Sequence, residues 1–167
     1  MNKQYILIII FLIISLFIYL FYRTEKTLIN EIFISLTSMQ AYSGLKSAIV
    51  YEVPLNNLVI YSLPEGLWMF CITLTSKPYY ICLGRLRISG IYIPLIICLS
   101  LEMLQLLHFT NGRFDIMDVS TFLLFWFLGI YYPYEGGKKQ NILTTYDMKT
   151  ILCLVSYSIV YFAHVIE

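Results

Sequence analysis

Five apolar runs, broken by short polar connections, organise the chain. The first is YILIIIFLIISLFIYLFY, residues 5–22, uncharged throughout and framed by Lys3 and Arg23. About 20 consecutive apolar residues reach across the hydrocarbon core of a bilayer, so this run predicts a membrane-spanning helix. Lys3 also fits the short basic lead of a signal peptide, but the run is long for a signal and LFYRTEK offers no small-residue cleavage site. An uncleaved first span is expected. The remaining runs cover residues 55–76, 91–109 (IYIPLIICLSLEMLQLLHF), 119–132 (VSTFLLFWFLGIYY) and 150–166 (TILCLVSYSIVYFAHVI).

The stretches between them carry finer signals. Leu28, Ile29, Ile32, Phe33 and Leu36 repeat at helical spacing, with Thr27 placed to cap them. That stripe predicts an additional amphipathic helix after the first span, either lying in the membrane interface or packed against the other helices. In SLPEGLW, Ser62 stands three residues before Glu65, with Pro64 between them, the spacing of a capping box. The second span is therefore expected to break near Ser62–Pro64. PYYICLGRLRIS, with Arg85 and Arg87, reads as a connection, and Asn111-Gly112 as a turn. Asp118 is placed to cap the fourth span.

Composition narrows the class. The chain of 167 residues is 59% hydrophobic, 17% aromatic and 13% charged, with a mean hydropathy of +0.76. Soluble domains average about 25% charged residues, so this chain has too few polar side chains to cover a small water-facing surface. The prediction is an all-α, polytopic transmembrane helical bundle of about five spans, a single membrane domain over residues 1–167, with the lipid bilayer as its first partner. Net charge is +1 and no basic block occurs, so nucleic acid is not an expected partner. Lys3, Lys77, Arg85, Arg87, Lys138, Lys139 and Lys149 fall on one side of a five-span arrangement, and Arg23, Lys26, Lys46 and Arg113 on the other. The positive-inside rule then puts the N-terminus in the cytoplasm and the loop 110–118 outside.

The candidate site lies in EMLQLLHFTNGRFDIMD, residues 102–118. Glu102 and Gln105 are three apart and share a helix face. Glu102 is seven residues before Phe109 and Glu65 eight after Asn57, so both acids sit roughly 10–12 Å below the same edge. Buried acids within a membrane turn towards a bundle interior and a partner. Arg113 is the expected one, bridging Glu102 and Asp118, with Gln105 as an orienting amide. The predicted ligand-binding network is thus Glu65, Glu102, Gln105, Arg113, Asp115 and Asp118. Simpler roles stand beside it: Asp118 as a helix cap, Glu65 as part of the capping box, Glu102 with Gln105 as a clamp between helices, and His108 as an interfacial histidine. A metal held by Glu102, His108, Asp115 and Asp118 would need oxygen and nitrogen ligands of this kind, but no HExxH-type spacing supports it, and neither a metal nor a cofactor is expected. No catalytic residue is assigned, since GxSxG and glycine-rich phosphate loops are absent from the sequence. Cys71, Cys82, Cys98 and Cys153 lie in or beside apolar runs and are expected to pack as small hydrophobes. Trp68, Trp126 and the 15 tyrosines fit interface belts and packing.

Glu102-x-x-Gln105, then Gly112-Arg113, then Asp115-x-x-Asp118, then an apolar helix containing Gly129, resembles the VanZ-like family of small bacterial membrane proteins, named after a teicoplanin-resistance protein. The likeness covers roughly residues 58–132. The family usually has one more residue between the Arg and the first Asp, and an Asn where this chain has Phe122, with Thr121 the nearest polar residue. The resemblance implies a multi-pass protein of the bacterial cytoplasmic membrane and, in some members, lowered susceptibility to glycopeptides. The expected function is the binding of an envelope component or lipid-linked headgroup at the outer polar site. The alternatives are a membrane-embedded hydrolase or transferase using paired carboxylates, and an accessory membrane subunit.

Overall fold

The computed structural model describes residues 3–23, 28–109, 114–134, 139–144 and 147–165, with residues 28, 29 and 159–165 described as backbone only. Among these residues seven α-helices and three short strands follow one another. They are α1 (Lys3–Tyr22), α2 (Leu28–Thr37), α3 (Met39–Glu52), α4 (Asn57–Ser76), β1 (Tyr79–Leu83), β2 (Leu86–Ser89), α5 (Ile93–Leu106), α6 (Ile116–Tyr131), β3 (Gln140–Asn141) and α7 (Met148–Val165). The protein is mostly helical, and each of the five apolar runs forms a helix. Two of them, α1 and α4, are long and apolar enough to cross a membrane, at 20 residues each.

The axis of the fold is α4, which packs against α1, α5, α6 and α7. Every residue from Pro64 to Leu74 is buried. Two glycines set its distance from α6. A Cβ on Gly66 would meet the Phe125 ring at 2.4 Å, and one on Gly129 would meet the Thr73 side chain at 2.9 Å. Each helix thus gives up a side chain where the other needs room, the small-residue contact that lets helix backbones approach closely. Trp68, Met69, Ile72, Cys98, Phe122 and Trp126 form the cluster around this contact. Both indoles are therefore core residues rather than interface belts: Trp68 donates to Ser156 O at 3.2 Å and Trp126 to Ile91 O at 2.8 Å. Cys71, Cys98 and Cys153 are buried, whereas Cys82 is exposed.

The outer helices turn the other way. Only Ile8, Ser15, Ile18 and Phe21 of α1 are buried, and Ile9, Ile10, Ile13 and Leu16 face outward. Ile96 and Met103 on α5, Leu124 and Phe127 on α6, and Ile151 and Leu154 on α7 do the same.

Several expectations need correction. The second span does not break: α4 runs through Pro64, and its N-cap is Asn56, whose side chain accepts from Val59 N at 2.8 Å. Starting the helix this far upstream leaves Ser62 no free N–H to cap, so the Ser62–Glu65 capping box does not form. Residues 28–52 form two helices rather than one. Ser38, at φ 121°, breaks them and caps α3 by accepting from Ala41 N. Of the predicted stripe, Phe33 packs on Phe21 and Tyr42, while Ile32 and Leu36 are exposed. Thr27 lies outside the described residues. The fourth apolar run forms α6, which starts at Ile116 because Asp115, not Asp118, is its N-cap, accepting from Met117 N at 2.8 Å.

The expected all-α class also misses a small sheet of order β2-β1-β3. PYYICLGRLRIS is a hairpin, its strands rich in aromatic and β-branched residues and joined by Gly84-Arg85. Gly84 is at φ 61° and Arg85 is not in the positive-φ region, the pattern of a type II′ turn. β3 adds in parallel through Gln140 N to Pro78 O and Ile142 N to Tyr80 O.

Helix α5 ends in a Schellman arrangement: Phe109 N donates to Leu104 O and His108 N to Gln105 O. His108 occupies the left-handed position at φ 58°, where glycine carries no Cβ penalty. His108→Gly is expected to stabilise the protein by about 1 kcal/mol, read as a raised thermal midpoint of the purified chain.

Candidate functional site

The polar side chains gather at the end of the bundle where α1 finishes and α6 begins. Pro64 lies in this region. A proline inside a helix has no N–H to donate, so the carbonyl four residues before it loses its helical donor. Side chains from α1 and its end bond other acceptors around this turn. Arg23 donates to Tyr61 O and to Glu65 Oε1, each at 2.9 Å, and to Tyr19 Oη at 2.9 Å. Ser15 donates to Pro64 O at 3.3 Å. The Arg23 guanidinium also lies over the Tyr19 ring, 4.5 Å from its centroid, and nearer the edge of Tyr61 at 5.5 Å. Glu65, 7% exposed, is thus held by a cation that arrives on another helix.

Two more acids come from the neighbouring helices. Ser62 donates to Asp118 Oδ1 at 3.5 Å, a long contact that places Asp118 beside the Glu65 turn of α4. Glu102, also 7% exposed, accepts from Asp115 N at 3.4 Å through Oε2. Both acids therefore lie against the first turn of α6, where unpaired N–H groups and the helix dipole favour negative charge. Asp118 and Glu102 are within electrostatic reach of Glu65.

Of the six residues predicted to form the network, Glu65, Glu102 and Asp118 come together and Asp115 borders them as the α6 cap. Gln105 is half-buried on α5, and among the described residues its amide has no hydrogen-bond partner. Arg113 lies outside the described residues. The cation that the structure places in the cluster is Arg23, which sequence reasoning had assigned only to the flank of the first span. The missed signal was its position: Arg23 follows the first span directly, and Glu65 lies just over two turns into the antiparallel second span. His108 is exposed and serves as a helix terminus. Among the described residues no group of three or more His, Cys, Asp or Glu side chains could hold a metal ion, so the Glu102–His108–Asp115–Asp118 alternative is not assembled.

A second polar cluster, unforeseen from sequence, closes the opposite end. Lys77, 8% exposed, donates to Ile130 O and Tyr132 O at 2.9 and 2.5 Å, covering the last carbonyls of α6. Asp147 Oδ1 accepts from Thr150 N and Thr150 Oγ1, both at 2.7 Å, which caps α7. The Thr150 hydroxyl also lies 3.1 Å from the Tyr79 hydroxyl, and burial pushes that phenol up to about 12. This cluster holds helix ends in place and has the partners expected of a structural site.

No family model, curated protein or solved structure matches the chain.

Two outcomes test these assignments. Removing one partner of a buried ion pair typically costs 3–5 kcal/mol, so Arg23→Ala is expected to destabilise by roughly that amount. Arg23→Met combined with Glu65→Leu should recover much of the loss, and a thermal double-mutant cycle gives the coupling. At the other end, the Thr150 hydroxyl and N–H hold the Asp147 carboxyl below its ordinary value. A lowered folded-state value stabilises above the ordinary carboxylate range and loses that contribution as pH falls through the lowered value. Asp147→Asn keeps the cap but not the titration, so its thermal midpoint should fall less than that of the wild type between roughly pH 6 and pH 3.

Proposed function

We propose that the chain is a multi-pass membrane protein of the VanZ-like type. Its helices cross the bacterial cytoplasmic membrane, and the polar cluster around Glu65, Glu102 and Asp118 receives a polar group of an envelope component. The observation that carries the membrane reading is the inversion of the bundle. Water-soluble proteins keep charged residues on the surface and bury them only when paired. Here the outward positions of α1, α5, α6 and α7 are rich in large apolar side chains, while Glu65, Lys77, Glu102, Ser62, Thr73 and Ser156 are inside. Three serine hydroxyls that face outward turn back on their own helix: Ser100 donates to Ile96 O, Ser120 to Ile116 O and Ser158 to Leu154 O. Lipid offers no hydrogen bonds, so polar groups within it must be satisfied internally.

At about 1.5 Å per residue α1 and α4 reach roughly 30 Å, the thickness of a hydrocarbon core. The 3-10 turn with α5 spans Gly90–Leu106, and α6 spans Ile116–Tyr131. At roughly 24–26 Å these are shorter, a mismatch that local thinning of the bilayer absorbs. The basic end, with Lys3, Lys77, Arg85, Arg87 and Lys149, belongs on the cytoplasmic side under the positive-inside rule. The Glu65–Glu102–Asp118 end then faces outward.

The chemistry of that end favours a ligand rich in donors. Carboxylates only accept hydrogen bonds when ionised, and Glu65, Glu102 and Asp118 outnumber the one described cation among them, Arg23. A headgroup bearing hydroxyls or an amine would complete the set, and Arg113, two residues before Asp115, supplies a cation for an anionic group on the same molecule.

Two measurements test the proposal separately. Carbonate washing of membranes from expressing cells should leave the protein in the pellet; release into the supernatant would end the membrane reading. In a glycopeptide-sensitive host, expression should raise tolerance to teicoplanin more than to vancomycin. Glu102→Gln and Asp118→Asn should lose that difference at equal membrane abundance. A well-expressed wild type that gives no protection would remove the glycopeptide phenotype and leave the membrane reading to the first test.

A further inference from the structure

The hairpin β1–β2 has two unlike faces. Its register pairs Ile81 with Ile88 and Leu83 with Leu86. Cross-strand partners project to the same side and successive residues to opposite sides. One face is therefore Tyr79, Ile81, Leu83, Leu86 and Ile88, without a polar side chain except the Tyr79 hydroxyl. The other is Tyr80, Cys82, Arg87 and Ser89, with Arg85 in the turn.

The apolar face is graded along its length. Tyr79 at the root is 1% exposed, Ile81 and Ile88 are half-buried, and Leu83 and Leu86 at the tip are 62% and 70% exposed. The protein covers the base of the ladder and leaves its tip bare. On the opposite face Arg87 stacks on Tyr80, 3.6 Å from the ring centroid, and Lys139 donates to Ser89 Oγ at 2.8 Å. No acidic residue occurs between Lys77 and Tyr92, and among the described residues Arg85 and Arg87 form no ion pair.

We infer that the β1–β2 hairpin is an interfacial lipid anchor, with Leu83 and Leu86 set among the acyl chains and Arg85 and Arg87 against anionic lipid phosphates. The inference rests on the membrane reading above and adds an interaction that the polar site does not require. Charge complementarity selects the occupant. The cytoplasmic leaflet is the anionic one, and it attracts basic residues held near its surface. An apolar hairpin tip left in water would be an aggregation hazard. Set at the headgroup boundary, the leucines enter hydrocarbon while the guanidiniums stay level with the phosphates, as amphipathic side chains do at interfaces.

The test uses the exposed cysteine. Cys82 is on the polar face, and the other three cysteines are buried. The full chain is spin-labelled at Cys82, or at Leu86→Cys or Ile13→Cys in a Cys82→Ser background, and reconstituted into vesicles of phosphatidylcholine with or without phosphatidylglycerol. Depth is read from collision rates with oxygen, which concentrates in lipid, and with a water-soluble nickel chelate. In phosphatidylglycerol vesicles the label at 86 should favour oxygen and the label at 82 should favour the chelate. Chelate access at 86 should rise several-fold in phosphatidylcholine alone, or when Arg85→Gln and Arg87→Gln are combined.

Ile13, 60% exposed on α1, separates the two readings. Lipid-like behaviour at 13 with free chelate access at 86 would overturn the anchor and leave the membrane reading standing. A label at 86 shielded from both reagents would show that protein covers the hairpin, which also overturns the anchor. A label at 86 that stays equally lipid-like without phosphatidylglycerol would overturn the role given to the arginines. Chelate access at 13 itself would overturn both readings.

Discussion

The Arg23 guanidinium is the contact on which the polar end of the bundle depends. It arrives at the end of α1 and meets α4 where Pro64 disturbs the helix, taking a carbonyl oxygen of Tyr61 and the carboxylate of Glu65 together. A buried carboxylate without a donor is costly, and the guanidinium that meets Glu65 also bonds the α4 backbone one turn earlier. The same contact fixes α1 against α4, and further bonds extend it: Tyr42 Oη donates to Leu20 O, Tyr22 Oη to Val53 O and Lys46 Nζ to Arg23 O. The short helix α3 is thereby tied over the end of α1, where unpaired carbonyls need donors.

The opposite end solves the same problem with different residues. Lys77 covers the terminal carbonyls of α6, and Asp147 covers the first amides of α7. A cation at a helix C-terminus and an acid at an N-terminus each align with the helix dipole. Between the two ends, α4 and α6 meet through Gly66 and Gly129 with little polar content. Polar partners thus hold the helix ends while close apolar packing holds the middle.

The long elements were legible in the sequence because their signal is cumulative. The run of residues 5–22 and the apolar runs later in the chain all became helices, since a span of such length without charge has few other uses. The short elements were not, because each depends on one or two residues whose alternatives look equally good. Asp115 and Asp118 are both good N-caps, and only the start of α6 shows which was used. Ser62, Pro64 and Glu65 have capping-box spacing, but Asn56 had already started the helix and the motif became interior. The hairpin was legible in principle: YYICL and LRIS are strand-like, and Gly-Arg between them is a two-residue turn with glycine first. An apolar composition directed attention to helices and hid a period of two.

The candidate site was legible in its acids and not in its cation, for a reason that lies in geometry. Arg113 is close to Glu102, Asp115 and Asp118 along the chain, whereas Arg23 is far from Glu65 in sequence. In an antiparallel pair of helices, however, the end of the first lies beside the early turns of the second, and Glu65 is just over two turns into α4. Arg23 and Glu65 are such a pair, and sequence separation says nothing against them. Their pairing also changes the electrostatics of the cluster. Glu65 bonds Arg23 directly, while Glu102 and Asp118 lie at the first turn of α6, a second source of positive potential. The N-terminus of α6, capped by Asp115, is thus where the cluster meets the connection that carries Arg113.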